Sequence, residues 1–208
     1  MLIAVDGPLA SGKGTIARAL AVHFNLPHMD TGTLYRAVAV EMLEAGEDPR
    51  DAGRAAERAR ALDPAAINER KIRSAGAGMA ASVVSAHPEV REALLRLQQE
   101  FAAQPGGAVL DGRDIGTVIA PHADLKLFVT ADEESRAWRR HAELTHRGES
   151  ISYDQVLVQL RARDSRDAAR SSAPMAKAAD AVELDTSDMS IDEAVRAAIH
   201  IAQHAANR

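Results

Sequence analysis

The chain has 208 residues, of which 46% are hydrophobic, and a formal net charge of −5. That length suffices for one α/β domain with a substantial core. The acidic balance argues against a nucleic-acid partner, and the absence of cysteine excludes disulfides and a catalytic thiol. No apolar run is long enough to span a membrane and no basic leader precedes the first apolar run. We therefore expect a cytoplasmic protein with no membrane partner.

Short apolar runs alternate with helical periodicities along the chain. The predicted strands are Leu2 to Val5, Leu26 to Met29, Ala108 to Leu110, Leu125 to Val129 and Ala181 to Leu184. This alternation predicts an α/β fold with a five-stranded, mainly parallel sheet and helices on both faces. In such a sheet, ligands bind beyond the carboxyl ends of the strands.

The first strand leads into the glycine-rich segment Gly7-Pro8-Leu9-Ala10-Ser11-Gly12-Lys13-Gly14-Thr15. A strand, a glycine-rich loop and a helix are the context of a phosphate-binding loop, in which backbone N–H groups and a lysine surround a phosphate. We predict that all nine residues bind a nucleoside triphosphate. Gly14 occupies the position at which the general pattern has a hydroxyl ligand for Mg²⁺, so Thr15 is the next candidate. A glycine there is typical of nucleoside monophosphate kinases.

The second strand leads into Asp30-Thr31-Gly32-Thr33-Leu34-Tyr35-Arg36. A hydroxyl and a glycine at a strand-to-helix turn can form a second anion site, and Arg36 could reach back to it from the first helical turn. An ordinary helix N-cap with a surface arginine is the alternative. The region from Asp48 to Ala81 lacks strand signals, so helices are predicted there. A further helix is predicted to begin at Pro88.

The third strand leads into Asp111-Gly112-Arg113-Asp114. An aspartate that ends a strand beside a phosphate loop can hold Mg²⁺ through its waters, which makes Asp111 a candidate metal residue. The alternative is a tight turn with a left-handed glycine and a salt-bridged arginine.

Eight arginines fall between Arg136 and Arg170, within an otherwise acidic chain. Ser152 and Gln155 have the spacing of a capping box, so a helix is predicted to follow. Positions 163, 167 and 170 then share one helical face, with Arg166 beside them. They form either an exposed Arg–Asp ladder or an anion site. An exposed arginine-rich segment also suits a lid that excludes water from a reaction.

Two facing anion sites suggest phosphoryl transfer from a triphosphate to a second phosphate group. Such an acceptor is ionised near neutral pH because its second pKa is about 6, so no general base is needed. Lysine, arginine and Mg²⁺ can position the two anions and stabilise the charge that develops during transfer.

The segments GPLASGKGT, DTGTLYR, HPEVREALLRLQQEF, DGRDIGTV and RDSRDAARSSAP resemble those of the bacterial cytidylate kinases, which are P-loop nucleoside monophosphate kinases. The resemblance covers nearly the whole chain. It implies a P-loop NTPase fold with a single kinase domain at 1-208, an NMP-binding segment at about 31-104 and a lid at about 146-172. It also implies a monomer that uses ATP, Mg²⁺ and either CMP or dCMP.

The resemblance assigns a role to each matching residue. It implies catalytic roles for Lys13, Arg113, Arg166 and Arg170, and it places Tyr35 in the CMP site. It assigns the CMP phosphate to Thr31, Arg36, Arg113 and Arg170, the sugar to Arg163 and Asp167, and cytosine to Ser82, Arg91 and Asp114. A small antiparallel insertion typical of such kinases is not expected, because residues 62 to 72 are too few and too helix-like to form it.

The assignment of Asp114 makes chemical sense, because a carboxylate binds the amino group of cytosine and repels the corresponding carbonyl of uracil. Two alternatives remain open from the sequence. One is a kinase for another monophosphate, such as UMP or AMP, and the other is a nucleotide-binding protein without catalytic activity.

Overall fold

The computed structural model describes residues 1–206, apart from the side chains at positions 73, 75 and 206. Its strands are β1 (Leu2–Asp6), β2 (His28–Asp30), β3 (Ala108–Gly112), β4 (Leu125–Thr130) and β5 (Val182–Asp185). Its α-helices are α1 (Lys13–Phe24), α2 (Gly32–Glu44), α3 (Ala52–Ala61), α4 (Ala75–Val84), α5 (Pro88–Ala102), α6 (Glu133–His146), α7 (Tyr153–Ala168) and α8 (Ile191–Ala206). A π-helix at Ile115–Ile119 follows β3.

The five strands form one parallel sheet in the order β2-β3-β1-β4-β5, which confirms the predicted sheet. The register pairs Asp6 with Gly112 and Asp30 with Asp111, so the carboxyl ends of β1, β2 and β3 meet at one edge. The turns that carry the predicted phosphate sites therefore lie side by side.

Alternation along β1 divides the core between the two faces of the sheet. Ile3 and Val5 pack on one face in a cluster that includes Leu20 of α1 and Ala198 of α8. Ala4 lies on the other face, where the cluster contains residues of β3, α5 and the π-helix. Helices thus cover both faces, as predicted, and leave the carboxyl edge of the sheet open.

A third apolar cluster joins α2, α3, α4 and α5 beside the sheet. Leu34, Val38 and Met42 are its contribution from α2, at the helical spacing visible in the sequence. The connection between α3 and α4 contains two short 3₁₀ turns, Pro64–Ala66 and Lys71–Arg73. As expected, this connection has no antiparallel insertion.

Helix ends follow the capping signals of the sequence. Ser152 and Gln155 form the predicted capping box at the start of α7. Ser190 and Glu193 make the reciprocal bonds at the start of α8, at 3.3 and 2.9 Å. Gly46 follows α2 with a φ of +70°, a conformation that glycine adopts without strain. Among residues 1–206, no helix combines the length and apolar character needed to cross a bilayer.

Candidate active site

A cleft of about 1200 Å³ lies at the carboxyl edge of the sheet. It is lined by the glycine-rich loop, the turn between β2 and α2, the end of β3, and residues from α6 and α7. The predicted site residues that line it are Leu9 to Thr15, Thr31, Tyr35, Arg36, Arg91, Asp111, Arg113, Asp114, Arg163, Asp167 and Arg170. The structure thus brings most of the predicted residues together.

The loop before α1 has the backbone conformation expected of a phosphate-binding loop. Three of its residues, Gly7, Ala10 and Gly12, have φ values of +152°, +60° and +89°. A Cβ atom on Gly7 would lie 2.0 Å from the carbonyl oxygen of Val129, so only glycine fits there. The Gly12 carbonyl accepts bonds from Thr15 and Ile16 that begin α1. Left-handed conformations within such a loop are typical of a concave nest of N–H groups that binds an anion.

Lys13 is the first residue of α1 and is half-buried at the base of the loop. Its Nζ donates to the Pro8 carbonyl at 3.4 Å. Desolvation and the charge of Arg113 lower the pKa of Lys13 to about 7, against the opposing charges of Asp111 and Asp30. A bound phosphate would favour the charged ammonium.

Asp111 is the penultimate residue of β3, and its side chain is buried beside the loop. Its Oδ1 lies 2.7 Å from Nε2 of His28 on β2. Its Oδ2 lies 3.6 Å from the position that a Cβ of residue 14 would take, so it faces the loop. The described residues contain no group of three carboxylate or histidine side chains able to hold a metal. This donor set fits Mg²⁺ held by one carboxylate, water and substrate phosphates.

The turn after β2 differs from an ordinary helix N-cap. The Thr31 hydroxyl makes no capping bond to α2; it donates to the Asp111 carbonyl at 2.8 Å. Arg36 reaches back to the turn as predicted, where its Nη2 lies 2.6 Å from Oδ2 of Asp30. The N-cap alternative is therefore wrong for Thr31.

Gly112 permits the close approach between the ends of β2 and β3. A Cβ atom on it would lie 2.6 Å from Oγ1 of Thr31 and 2.7 Å from Ile115. Its φ lies outside the left-handed region, so the alternative of a tight turn with a left-handed glycine is wrong. The salt-bridged arginine of that alternative is present, since Arg113 Nε lies 2.9 Å from Oδ2 of Asp167.

Asp167 is a buried carboxylate surrounded by guanidinium groups, and the exposed-ladder alternative is wrong. It accepts hydrogen bonds from Arg113 and Arg170, and Arg163 Nε lies 4.0 Å away. Burial raises the pKa of Asp167, but the charges of Arg113 and Arg170 outweigh that effect and hold it below its usual range. Desolvation lowers the pKa of Arg163, although a guanidinium still keeps its charge at neutral pH.

The prediction that positions 163, 167 and 170 share one helical face is wrong in one respect. Helix α7 ends at Ala168, where the Ala169 N–H bonds the Ser165 carbonyl and closes the last turn. Arg170 lies beyond the helix and returns to Asp167 by its side chain. The predicted exposure is also wrong here, since only 21% of the Arg163 side chain and 5% of the Arg170 side chain are exposed.

The far end of the cleft holds a buried ion pair between Arg91 on α5 and Asp114. The Arg91 guanidinium carbon lies 5.5 Å from the centre of the Tyr35 ring. Asp114 precedes the π-helix, which is fixed because the Ile115 and Gly116 N–H groups both donate to Asp6 at 2.8 Å. Burial raises the pKa of Asp6 to about 6, against the opposing effect of these two bonds.

Four predicted residues lie outside the cleft lining: Gly7 and Pro8 at the start of the loop, and Ser82 and Arg166. Ser82 on α4 is buried, and its hydroxyl accepts from Arg166 Nε at 3.2 Å. That bond belongs to a row that joins α4 to α7 and to the turn after it. The row comprises Arg163 with the Gly78 carbonyl at 3.4 Å, Arg166 with Ser82, and Arg170 with the Ser85 hydroxyl at 3.2 Å.

A parallel sheet whose central strand ends in a phosphate loop, opposite an arginine-rich site, defines a P-loop kinase. Solved structures agree at the level of the fold. A gluconokinase from Sinorhizobium meliloti 1021 matches with a TM-score of 0.55 and 17% identity over 99% of this chain and 94% of its own. An uncharacterized protein from Eubacterium ventriosum ATCC 27560 matches with a TM-score of 0.59 and 14% identity over 100% and 99%.

The family is shown by sequence. The family model described as cytidylate kinase matches residues 3–204. A cytidylate kinase of Xanthobacter autotrophicus is 57% identical over 203 residues, which cover 98% of this chain and 97% of the relative. One from Rhodopseudomonas palustris is 55% identical, with 98% and 96% covered. The chain belongs to the cytidylate kinase family and is an ATP-dependent phosphotransferase, which confirms the predicted family and class of enzyme.

Proposed function

We propose that this protein transfers the γ-phosphoryl group of ATP to CMP or dCMP, giving CDP or dCDP. The observation that carries the proposal is a single cleft that joins a phosphate loop to a second cationic site with the Arg91–Asp114 pair at its end. The identities above 50% to curated cytidylate kinases support the choice of acceptor. In this proposal the enzyme serves pyrimidine nucleotide metabolism.

On the donor side, the residues from Gly7 to Thr15 bind ATP. Backbone N–H groups cradle the phosphates, and Lys13 adds a charge where negative charge develops during transfer. Asp111 would hold Mg²⁺ through water, and Thr15 is the candidate hydroxyl ligand for the same ion. The ion would neutralise phosphate charge when bound.

On the acceptor side, Thr31, Arg36, Arg113 and Arg170 bind the CMP phosphate. Aspartates already pair with these arginines, so the incoming phosphate replaces Asp30 beside Arg36 and adds a second anion near Arg113. Arg163 and Asp167 bind the sugar. Because the acceptor phosphate is already ionised, these residues position it and need not remove a proton.

The base lies against Asp114, Arg91 and Ser82, with Tyr35 beside it. Asp114 accepts from the amino group of cytosine, while Arg91 and Ser82 serve the acceptors of the ring. Arg166 donates to Ser82 outside the cleft. The proposed roles of both residues therefore require α4 and α7 to move toward the substrates.

We further propose that the segment at about 31-104 moves with the CMP and that the segment at about 146-172 closes as a lid. The separate apolar cluster of α2 to α5 supports the first unit. The enzyme works in the cytoplasm as a monomer in this proposal.

The test is a coupled assay of ADP formation with CMP, dCMP, UMP and AMP. We expect CMP and dCMP to exceed UMP and AMP. Asp114→Asn should reduce the preference for CMP over UMP by about fivefold to 150-fold, because mispairing a buried polar group costs about 1–3 kcal/mol. Asp154→Asn, an exposed position on α7, is the matched control.

Faster turnover of AMP or UMP than of CMP would contradict the proposed substrate. Unchanged discrimination in Asp114→Asn would contradict the role of Asp114. Retained ATP binding in that variant shows that the change acts at the base and not on the fold.

A further inference from the structure

Arg136, in the first turns of α6, is a buried arginine to which neither the motifs nor the cleft assign a role. Its Nε donates to the Ala131 carbonyl at 3.0 Å. Its Nη1 donates both to Oδ2 of Asp164 at 2.6 Å and to the Leu9 carbonyl at 3.2 Å. One guanidinium therefore bonds three separate segments of the chain.

Two of these contacts reach the two substrate sites. Leu9 belongs to the phosphate loop and precedes Ala10, which has a φ of +60°. Asp164 lies on α7 between Arg163, which lines the cleft, and Asp167, which holds Arg113 and Arg170. The side chain of Arg136 thus connects the donor loop with the helix that carries the acceptor-side charges.

The bond to Asp164 is sheltered, with 9% of the Arg136 side chain and 21% of the Asp164 side chain exposed. Charge-assisted hydrogen bonds of this length are strong and directional. In the part of the chain that the structure describes, Asp164 Oδ1 is buried without a hydrogen-bond partner. Arg136 is thus the group that orients this carboxylate.

We infer that Arg136 and Asp164 are positioning residues that couple binding at the phosphate loop to binding at the CMP site. The inference rests on the proposed function of the cleft. A triphosphate that orders the loop also fixes the Leu9 carbonyl, and with it the Arg136 guanidinium that donates to this carbonyl. Because Arg136 also donates to Asp164, α7 becomes more ordered as well. A monophosphate then meets an acceptor site that is already ordered, so each ligand raises the affinity for the other.

The chain contains a matched comparison. Glu133 and Arg161 also join α6 to α7, with 2.6 Å between Oε1 and Nη2. This pair is exposed, at 42% and 59% of the two side chains, and neither residue lines the cleft. Exposed ion pairs contribute little to stability. The two bridges share their helices and differ in burial and in contact with the phosphate loop.

The experiment measures the Kd of CMP by titration calorimetry, with and without a non-hydrolysable ATP analogue. In the wild type the analogue should lower the Kd of CMP about tenfold, within the usual range of coupling between sites. In Asp164→Asn this ratio should fall to about twofold or less, while the Kd of each ligand alone changes by less than about threefold. Glu133→Gln should keep the wild-type ratio.

Arg136→Lys is a second variant that keeps the cation but cannot bond Leu9 and Asp164 in the same geometry. It should lose the coupling as Asp164→Asn does. A purely structural role predicts lower thermal stability with an unchanged ratio.

The inference is overturned if the analogue leaves the Kd of CMP unchanged in the wild type. It is also overturned if the analogue lowers the Kd of CMP in both variants as much as in the wild type. These results leave the proposed function intact if CMP is still phosphorylated. Failure of the wild type to bind CMP would instead contradict the proposed function.

Discussion

The two halves of the cleft are built in different ways. In the proposed assignment, the donor half is a run of nine consecutive residues, Gly7 to Thr15, whose backbone forms the site. The acceptor half uses side chains from β2–α2, α5, the end of β3 and α7, which are spread from Thr31 to Arg170. Local sequence is enough to shape the first, whereas the second exists only when the whole fold is assembled.

The halves also differ in how their charges are compensated without substrate. The ammonium of Lys13 contacts a carbonyl, and burial favours its neutral form. Acceptor-side arginines instead pair with buried or half-buried carboxylates of the same chain, as Arg36 does with Asp30 and Arg113 with Asp167. Changes to the donor half should therefore affect catalysis, and changes to the acceptor carboxylates should also affect folding.

The largest expected effect is that of Lys13→Met, which keeps the length of the side chain and removes its charge. We expect kcat to fall about 10³-fold, as for removal of a preorganised charge-stabilising group. Backbone N–H groups remain, so ATP should still bind. Steady-state assays with CMP measure the change, and Lys177→Met at an exposed pair is the control. If Lys13→Met keeps a tenth of the wild-type kcat, the proposed role of the Lys13 charge in catalysis is contradicted.

Asp167→Asn should act on both stability and binding. The change leaves Arg113 and Arg170 without their shared buried counter-charge, and breaking such a pair costs about 3–5 kcal/mol. We expect the free energy of unfolding in urea to fall by about 3 kcal/mol. The KM for CMP should rise more than that for ATP. Equal stability of the variant and the wild type would show that the arginines are compensated in another way.

The smallest expected effect is proton uptake when a triphosphate binds. Lys13 in the free enzyme has a pKa lowered to about 7, so at pH 8 it is mostly neutral, and phosphate oxygens then favour its protonated form. Calorimetry at pH 8 in buffers of different ionisation enthalpy should show uptake of up to about one proton, which disappears near pH 6.

Lys13→Arg provides the control for this measurement, since a guanidinium is charged in both states. It should bind nucleotide without proton uptake. An identical uptake in the variant and the wild type would assign the proton to another group.

The sequence predicted those parts of the molecule whose structure depends on residues close together in the chain. The five strands lie within two residues of their predicted starts, because each is a short apolar run between polar turns. The phosphate loop and the capping box at Ser152 and Gln155 were also predictable, because each depends on residues that are close together in the chain. The length of α7 was not, since the helix stops before Arg170 and the side chain restores the expected contact with Asp167.

Pairs that are distant in the chain escaped prediction. His28 meets Asp111 across 83 positions, and no motif at either residue indicates the other. Arg136 stood among eight arginines of one segment, with nothing local to mark it as buried. Ser82 and Arg166 bond each other outside the cleft because α4 packs against α7. The periodicity of the sequence does not predict which helices pack together.

The row of bonds between α4 and α7 has a consequence for chain length. Gly78, Ser82 and Ser85 meet Arg163, Arg166 and Arg170, so both segments advance by seven residues over the same distance. An insertion of one residue within either segment would move every following residue of that segment one position along the chain. The side chains after the insertion would then no longer face their partners on the other segment. The connection between α6 and α7 makes none of these bonds. Insertions should therefore be tolerated there and rejected inside the paired segments, unless both change together.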